Sequence, residues 1–526
     1  VSDTTPTANR LIARAAGTVF FAFIISNSVG LLRQILVANA FGTQAEMEAF
    51  NAANRVAETL FNLVAGGALS SAFIPAFAAL LVNREERERA WRLAAHVGNS
   101  VLAVTIIIGA LAALFAPWIV RNILAPGFAT DPYKEQLTID LMRLMLPSAV
   151  IFGISGLVMG ILNSNQIFLL PALAPAMYQL GMIFGVLVLA PRLGIYGLAW
   201  GVVLGAGLHL GLQTPALFRL GGRYSPGFGL GSPDVREVLR LMGPRLLGVA
   251  VVQLNFWINT RLASQFVEGS VTGVVLAFTL MLMPQAAIAQ SIAIAALPTF
   301  STQAAQKRLG EMRHSLASSL RGALLFSIPA SIGLVLLRKP IIATLYQRGQ
   351  FDARSTELVA WALLWFGIGL VGHALVEILS RAFYALHDTK TPVFIGILAM
   401  SLNVIFSYTF TWVFAQVGWM PHGGLALANS TATGLEALAL LYLMRRRLDG
   451  IEGGYIIEGA ARALIAAAVM AAALFGWRAG FASVPNWVAA AGGILVGGGV
   501  FAAAALGLRI SEFRLAANYL RKRLFG

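Results

Sequence analysis

The chain has 526 residues, 58% of them hydrophobic and 12% charged, with a mean hydropathy of +0.76. A soluble globular domain carries about 25% charged residues, so a water-soluble enzyme and a disordered chain are both excluded, and a polytopic membrane protein remains. The net charge of +15 belongs, in such a chain, at the cytoplasmic ends of helices and beside acidic lipid rather than on nucleic acid.

Residues Val1–Arg10 are polar, with no cleavable signal pattern, so the first apolar stretch is expected to be a span. Runs long enough to cross a bilayer are expected at fourteen places. They are 12–38, 48–81, 93–120, 138–162, 168–190 and 195–218, then 238–264, 271–302, 315–337, 356–385, 391–415, 422–445, 457–477 and 487–509. The breaks alternate in charge. The basic set holds Arg84 to Arg89, Arg219 to Arg240, Lys307-Arg308 with Arg313, Arg445-Arg446-Arg447, and Arg509, Arg514 and Arg521-Lys522-Arg523. The set poor in basic residues holds 42–48, 125–136, 265–270 and 416–424. The positive-inside rule makes the first set cytoplasmic, and an even number of spans then puts both termini on the cytoplasmic side. The break from Arg338-Lys339 to Arg354 is basic yet falls outside, against the rule. The expected division is an N-terminal lobe at 1–220, a cytoplasmic linker at 221–236 and a C-terminal lobe at 237–450. Spans 13 and 14 follow at 451–510, and a basic tail at 511–526.

The two lobes repeat one another. Phe73-Ile74-Pro75-Ala76-Phe77 resembles Ala296-Leu297-Pro298-Thr299-Phe300, and the segment from Ile161 to Pro171 resembles that from Ala385 to Pro392. Pro75 lies 96 residues before Pro171, and Pro298 lies 94 before Pro392. Six spans per repeat keep the lobes parallel, a design in which rocking about a site between them gives alternating access. The fold class expected is thus all-α: about fourteen transmembrane helices in two parallel six-helix lobes around a central cavity, plus two extra helices.

A charge in the hydrocarbon costs about 2.5–3.5 kcal/mol by insertion scales, so polar residues inside spans mark wet cavities or partners. Asn51, Arg55, Glu58 and Asn62 recur at four, three and four, on one face of span 2. Span 1 adds Asn27 and Arg33, span 7 adds Gln253, Asn255, Asn259 and Arg261, and span 8 adds Thr279, Gln285 and Gln290. Together they would line a cationic cavity suited to an anionic head group. A structural reading stands beside this: Arg55 and Glu58 can neutralise each other, and Arg33 and Arg261 can reach the interface. Glu377 and Arg381, four apart, read as a structural pair; Glu436 suits a coupling-ion site or a buried structural acid equally. The six histidines (His96, His209, His314, His373, His387 and His422) have no ligand spacing, and Gly227, Gly229 and Gly231 read as a flexible linker. No phosphate loop or nucleophile elbow is present, so neither an enzyme nor a cofactor is expected.

Several stretches carry a resemblance. Val37-Ala38-Asn39-Ala40-Phe41-Gly42, the segment from Gly67 to Pro75, and Ala125-Pro126-Gly127-Phe128 are three of them. Leu345-Tyr346-Gln347-Arg348-Gly349-Gln350-Phe351 and the run from Phe383 to Pro392 are two more. Over roughly 15–450 the chain resembles the MurJ family of lipid II flippases, within the multidrug/oligosaccharidyl-lipid/polysaccharide exporter superfamily. The resemblance implies a fourteen-helix, two-lobed carrier that flips the undecaprenyl-pyrophosphate-linked murein precursor outward. The family's first helix shows S-R-x-x-G-x-x-R; here Ser26 to Arg33 keeps the second arginine and has Asn27 in place of the first. Arginines expected on the second and eighth helices fall on Phe61 and Thr279, whereas the acidic residue after the first outer loop is kept as Glu48. Arg55 is then the natural replacement for the missing charge. Some family members bind sodium through acidic residues; the matching regions offer Asn255, Asn403 and Ser407, so no ion site is carried over.

The expected function is therefore flipping of lipid II by alternating access, with Arg33 and Arg55 attracting the pyrophosphate. Membrane potential or an ion gradient would drive it, and the chain would work as a monomer among membrane lipids. A flippase for another lipid-linked oligosaccharide is the alternative. A drug/cation antiporter, which would want an acidic cavity, and a non-transporting scaffold stand further off.

Overall fold

A computed structural model describes residues 6–64, 68–82, 86–481, 483–510 and 512–513. Gly67, Arg84, Glu85 and the tail cations Arg514, Arg521, Lys522 and Arg523 lie outside the described residues. Every regular element among those described is helical, as expected of an all-α membrane chain. Among the described residues, eleven helices are long and apolar enough to cross a bilayer, or twelve when Pro233–Gly243 and Gly248–Ala263, bent by 43°, count as one span. The break of that bent pair contains Pro244, which removes a backbone donor and kinks a helix. These twelve coincide with expected spans 3 to 14. The first expected span lies within the helix Pro6–Phe41, and the described parts of the second are the helices Ala45–Val64, which is polar, and Ala68–Val82.

The chain forms two compact units, 1–268 and 269–526. The first contains α1 (Pro6–Phe41), α2 (Ala45–Val64), α3 (Ala68–Val82) and α4 (Arg87–Leu114), then α5 (Ala116–Ile119) and a π-helical turn at Val120–Leu124. It continues with α6 (Pro132–Ser164), α7 (Leu169–Phe184), α8 (Ala190–Leu193), α9 (Ile195–Arg219) and α10 (Pro233–Ala263). Helix α1 stops at Phe41 because Gly42 takes a left-handed φ of 57° and its N–H bonds the Ala38 carbonyl at 2.8 Å. Helix α6 starts where Asp131 accepts from the backbone N–H groups of Tyr133 and Lys134, with Pro132 at the first helical position. The stretch from Arg219 to Asp234 is fastened to α4 rather than loose. Asn99 donates to the carbonyls of Ser225 and Gly227, and Arg89 pairs with Asp234 at 2.7 Å.

Hydrocarbon gives helices no hydrophobic reason to associate, so close backbone packing has to do it. Gly181 on α7 and Gly185, which opens the π-helical turn Gly185–Leu189 after it, face Gly197, Gly201 and Gly205 on α9, each set spaced by four. A Cβ on Gly181 would lie 2.3 Å from the Gly205 Cα, and one on Gly185 would lie 2.7 Å from the Gly201 Cα. Gly181→Leu is therefore expected to force these two backbones apart at a cost of about 1–3 kcal/mol. Thermal unfolding in detergent checks this, and an unchanged midpoint would contradict it.

The second unit holds α11 (Ser270–Gln285), a π-helical turn (Ala286–Gln290), α12 (Ser291–Ala305), α13 (Leu309–Leu336) and α14 (Arg338–Tyr346). After these come α15 (Ala353–Ala385), α16 (Lys390–Gln416), α17 (His422–Arg447), α18 (Gly453–Gly480) and α19 (Asn486–Gly507). Phe73 and Phe77 on α3 and Phe300 on α12, the aromatics of the two similar motifs, are all fully buried. The basic break at 338–354 is largely taken up by α14, and Lys339 there pairs with Glu357 at 2.5 Å. Asp352 caps α15 by accepting from the Ser355 N–H, which holds its carboxyl below the ordinary value. Spans 13 and 14 are tied to this unit at one end by Arg321 of α13. Its guanidinium, 4% exposed, pairs with Glu512 at 2.5 Å and lies 3.8 Å over the Tyr455 ring. Glu377 and Arg381 form the expected ion pair at 2.8 Å.

Candidate functional site

Within the first unit a polar cavity of about 240 Å³ is bounded by α1, α2, α6, α7 and α9. Arg33 enters it from α1; Asn54, Glu58 and Asn62 line it from α2, and Phe152, Tyr178 and His209 form its far walls. The α2 residues recur every four, so one helical stripe supplies all three polar groups. The stripe expected from sequence starts at Asn51 and Arg55, which lie about 60° and about 100° around the helix from Asn54.

Arg33 reaches across to α7, where its guanidinium lies 3.3 Å from the Met182 sulfur. A thioether is a weak acceptor of such an N–H. Glu58 keeps a side chain 43% exposed, and Arg55 holds one of its oxygens at 2.9 Å. The cavity thus contains one cation and one carboxylate that is already engaged. Its aromatic wall is closely built: Phe61 meets Phe152 at 4.7 Å, and Phe152 meets Tyr178 and His209 edge-on at 5.1 and 5.3 Å. Behind the wall, His209 Nδ1 lies 2.6 Å from the Ser155 hydroxyl, which also accepts from Gln213 at 2.9 Å. That network fixes the imidazole and turns its other edge toward the cavity.

The remaining expected site residues sit elsewhere. Arg55 does not line the cavity; it is 11% exposed, pairs with Glu58, and lies 5.0 Å over the Phe256 ring of α10. It belongs to a polar seam between α2 and α10, where Trp257 donates to Thr59 at 2.8 Å and Thr59 lies 3.3 Å from Gln253. Asn259 donates to Asn255 on the same helix at 3.2 Å, and Arg261 bonds the carbonyls of Asn122 and Ile123. Glu48 is 1% exposed and paired with Lys134. Asn51 lies part-buried on α2 and Asn27 is exposed on α1. Thr279, in the second unit, donates to the Val275 carbonyl of its own helix at 2.8 Å. Tyr178, Asn54 and His209 escaped the sequence reading. The spacing of Asn54 to Glu58 and Asn62 was visible; the tertiary approach of Tyr178 and His209 had no local signal. Among the described residues, no three His, Asp or Glu gather to hold a metal ion.

Residues 37–489 match the family model of the lipid II flippase MurJ. The chain belongs to the MurJ family. It is 32% identical over 451 residues to the lipid II flippase MurJ of Burkholderia cenocepacia, covering 82% of this chain and 84% of the relative. It is 30% identical over 473 residues to the probable lipid II flippase MurJ of Vibrio cholerae, covering 86% and 87%. A solved lipid II flippase MurJ in an inward closed conformation superposes with a TM-score of 0.79 at 23% identity, over 94% of this chain and 99% of that one. An inward-facing MATE transporter of the MOP superfamily follows at 0.65 and 16% identity, over 81% and 98%. These two likenesses show the fold. MurJ family proteins are transporters rather than enzymes, and this is a multi-pass membrane protein of that family.

Proposed function

We propose that the chain flips lipid II, the polyprenyl-pyrophosphate-linked peptidoglycan precursor, from the inner to the outer leaflet of a bacterial cytoplasmic membrane by alternating access. The observation that carries this reading is the family match over most of the chain together with Arg33 standing in a polar cavity. A guanidinium bonds a phosphate through two parallel N–H groups, so Arg33 is the anchor for the pyrophosphate. Arg55 acts at one remove, by holding Glu58. Asn54, Asn62 and Tyr178 supply polar groups for the sugar and peptide end; Asn27, Asn51, Asn255, Asn259 and Thr279 stay candidates for contact in other states of the cycle. The lobes proposed at 1–220 and 237–450 would rock one against the other, both termini would be cytoplasmic, and the working form would be a monomer. Membrane potential or an ion gradient would supply the energy.

Proteoliposomes with fluorescent lipid II in the inner leaflet test this. Protein-dependent appearance of the label in the outer leaflet is expected, and its absence with active protein would refute the reading. Neutral Asn27, Phe61 and Thr279 at positions where the family has arginines favour one rival, a flippase for another lipid-linked oligosaccharide. Preferential flipping of such a lipid in the same vesicles would establish that rival.

A further inference from the structure

Helix α2 has two cavities, one on each side. Its polar stripe faces the site described above. On the opposite side lies an apolar cavity of about 670 Å³. Val56 and Leu60 of α2, Ile108, Leu111 and Ala112 of α4, and Trp257 of α10 contribute to its walls. The polar groups that reach it are already used: the Trp257 N–H donates to the Thr59 hydroxyl, which itself donates to the Arg55 carbonyl at 2.7 Å. Water therefore finds no partners inside, and apolar cavities of this kind stay dry. A void of this size forfeits dispersion contacts along its whole lining unless something fills it.

The mouth identifies the filling. Phe115 and Trp118, 52% and 57% exposed, stand at it, and Ile107 and Leu114 continue the same outward face at 58% and 70% exposure. In a membrane chain such a face meets lipid tails, and Trp marks the boundary with the head groups. The cavity thus opens onto the bilayer beside the break at 125–136, and the bilayer is the solvent at that surface. Lipid tails are as apolar as leucine, and a flexible methylene chain can follow an irregular wall.

We propose that this cavity binds one acyl chain of a bilayer phospholipid. The chain packs against the back of α2, so that helix is braced between hydrocarbon on one side and the polar cavity on the other. The site is independent of which lipid-linked substrate the protein moves.

The test is photolabelling of the full chain in vesicles of phosphatidylglycerol that carries a diazirine on its acyl chain, with labelled positions mapped by mass spectrometry. Val56 and Leu60 are 4% and 6% exposed, so lipid reaches them through the cavity. Labelling of Leu60 alongside outward-facing Leu114 is expected. Labelling confined to outward residues such as Leu114 would overturn the proposal, and this result needs no variant. Ala112→Trp fills the cavity and is expected to abolish labelling at Leu60 while leaving Leu114 labelled; Leu60 labelled as before in a folded Ala112→Trp protein would count against it. A diazirine-bearing polyprenyl phosphate serves as the second probe. If that probe labels Leu60 and excludes phosphatidylglycerol, the occupant is an isoprenoid chain and the proposal fails.

Discussion

Glu48→Ala is expected to destabilise the first unit by about 3–5 kcal/mol, because it leaves the Lys134 ammonium buried without its carboxylate. Lys134 is 6% exposed, and its nitrogen lies 4.1 Å over the Phe128 ring, an attraction too weak to replace an ion pair. Removing both charges should behave differently. A Glu48→Met, Lys134→Met double variant exchanges two desolvated ions for packed side chains, a change that is often neutral or stabilising by about 1–4 kcal/mol. Thermal unfolding in one detergent, run on the two variants and the parent, separates these cases. The expected order places the single variant well below the parent and the double variant near or above it. The same proteins settle whether Glu48 touches substrate, since a structural role predicts that the double variant flips at the parental rate. A stable double variant that no longer flips would assign Glu48 to the substrate path instead.

Reading the fold from sequence succeeds where one physical signal dominates. Twelve of the expected spans recur as helices able to cross a bilayer, because hydrocarbon demands long apolar helices and tolerates little else. The second expected span departs from that signal for an equally physical reason. Its first half is amphipathic, with Asn54, Glu58 and Asn62 on one side and Val56 and Leu60 on the other, so it serves as a partition between two cavities rather than a lipid-facing rod.

The site is less legible than the fold. Spacing alone permits Arg55 to face a cavity or to pair with Glu58, and the structure shows the pair. The choice turns on α10, which brings Phe256 over the guanidinium, and no local pattern announces that approach. Asn255 and Asn259 likewise satisfy each other along one helix, as Thr279 satisfies its own backbone. Polar residues in a span cost free energy unless bonded, and several here are bonded locally instead of being offered to a ligand. Tyr178 and His209 illustrate the converse. Each stands alone in an apolar stretch, and they become cavity walls when the close glycine seam draws α7 against α9.

Arg33→Ala is expected to weaken substrate binding roughly ten- to a hundredfold and to abolish complementation of a flippase-depleted strain. The magnitude follows from losing a hydrogen-bonded charge, worth about 1.5–3 kcal/mol. Two things favour Arg33 over the other cations of the first unit: it lines the polar cavity, and it shares that cavity with the engaged Glu58. Arg55 lies outside the cavity lining, bonded to Glu58 and set over Phe256, and Arg261 bonds backbone carbonyls. Arg33→Lys keeps the charge but loses the planar fork, so it should retain part of the activity. Arg55→Ala should act through Glu58: it frees a carboxylate beside the bound pyrophosphate, and an Arg55→Ala, Glu58→Gln double variant should recover flipping relative to the single one. Labelled lipid II in proteoliposomes, with protein level and thermal midpoint matched across the set, reads all four variants. Parental flipping by Arg33→Ala would remove it from the pyrophosphate site. Failure of the Glu58 replacement to rescue Arg55→Ala would instead give Arg55 a direct part in binding.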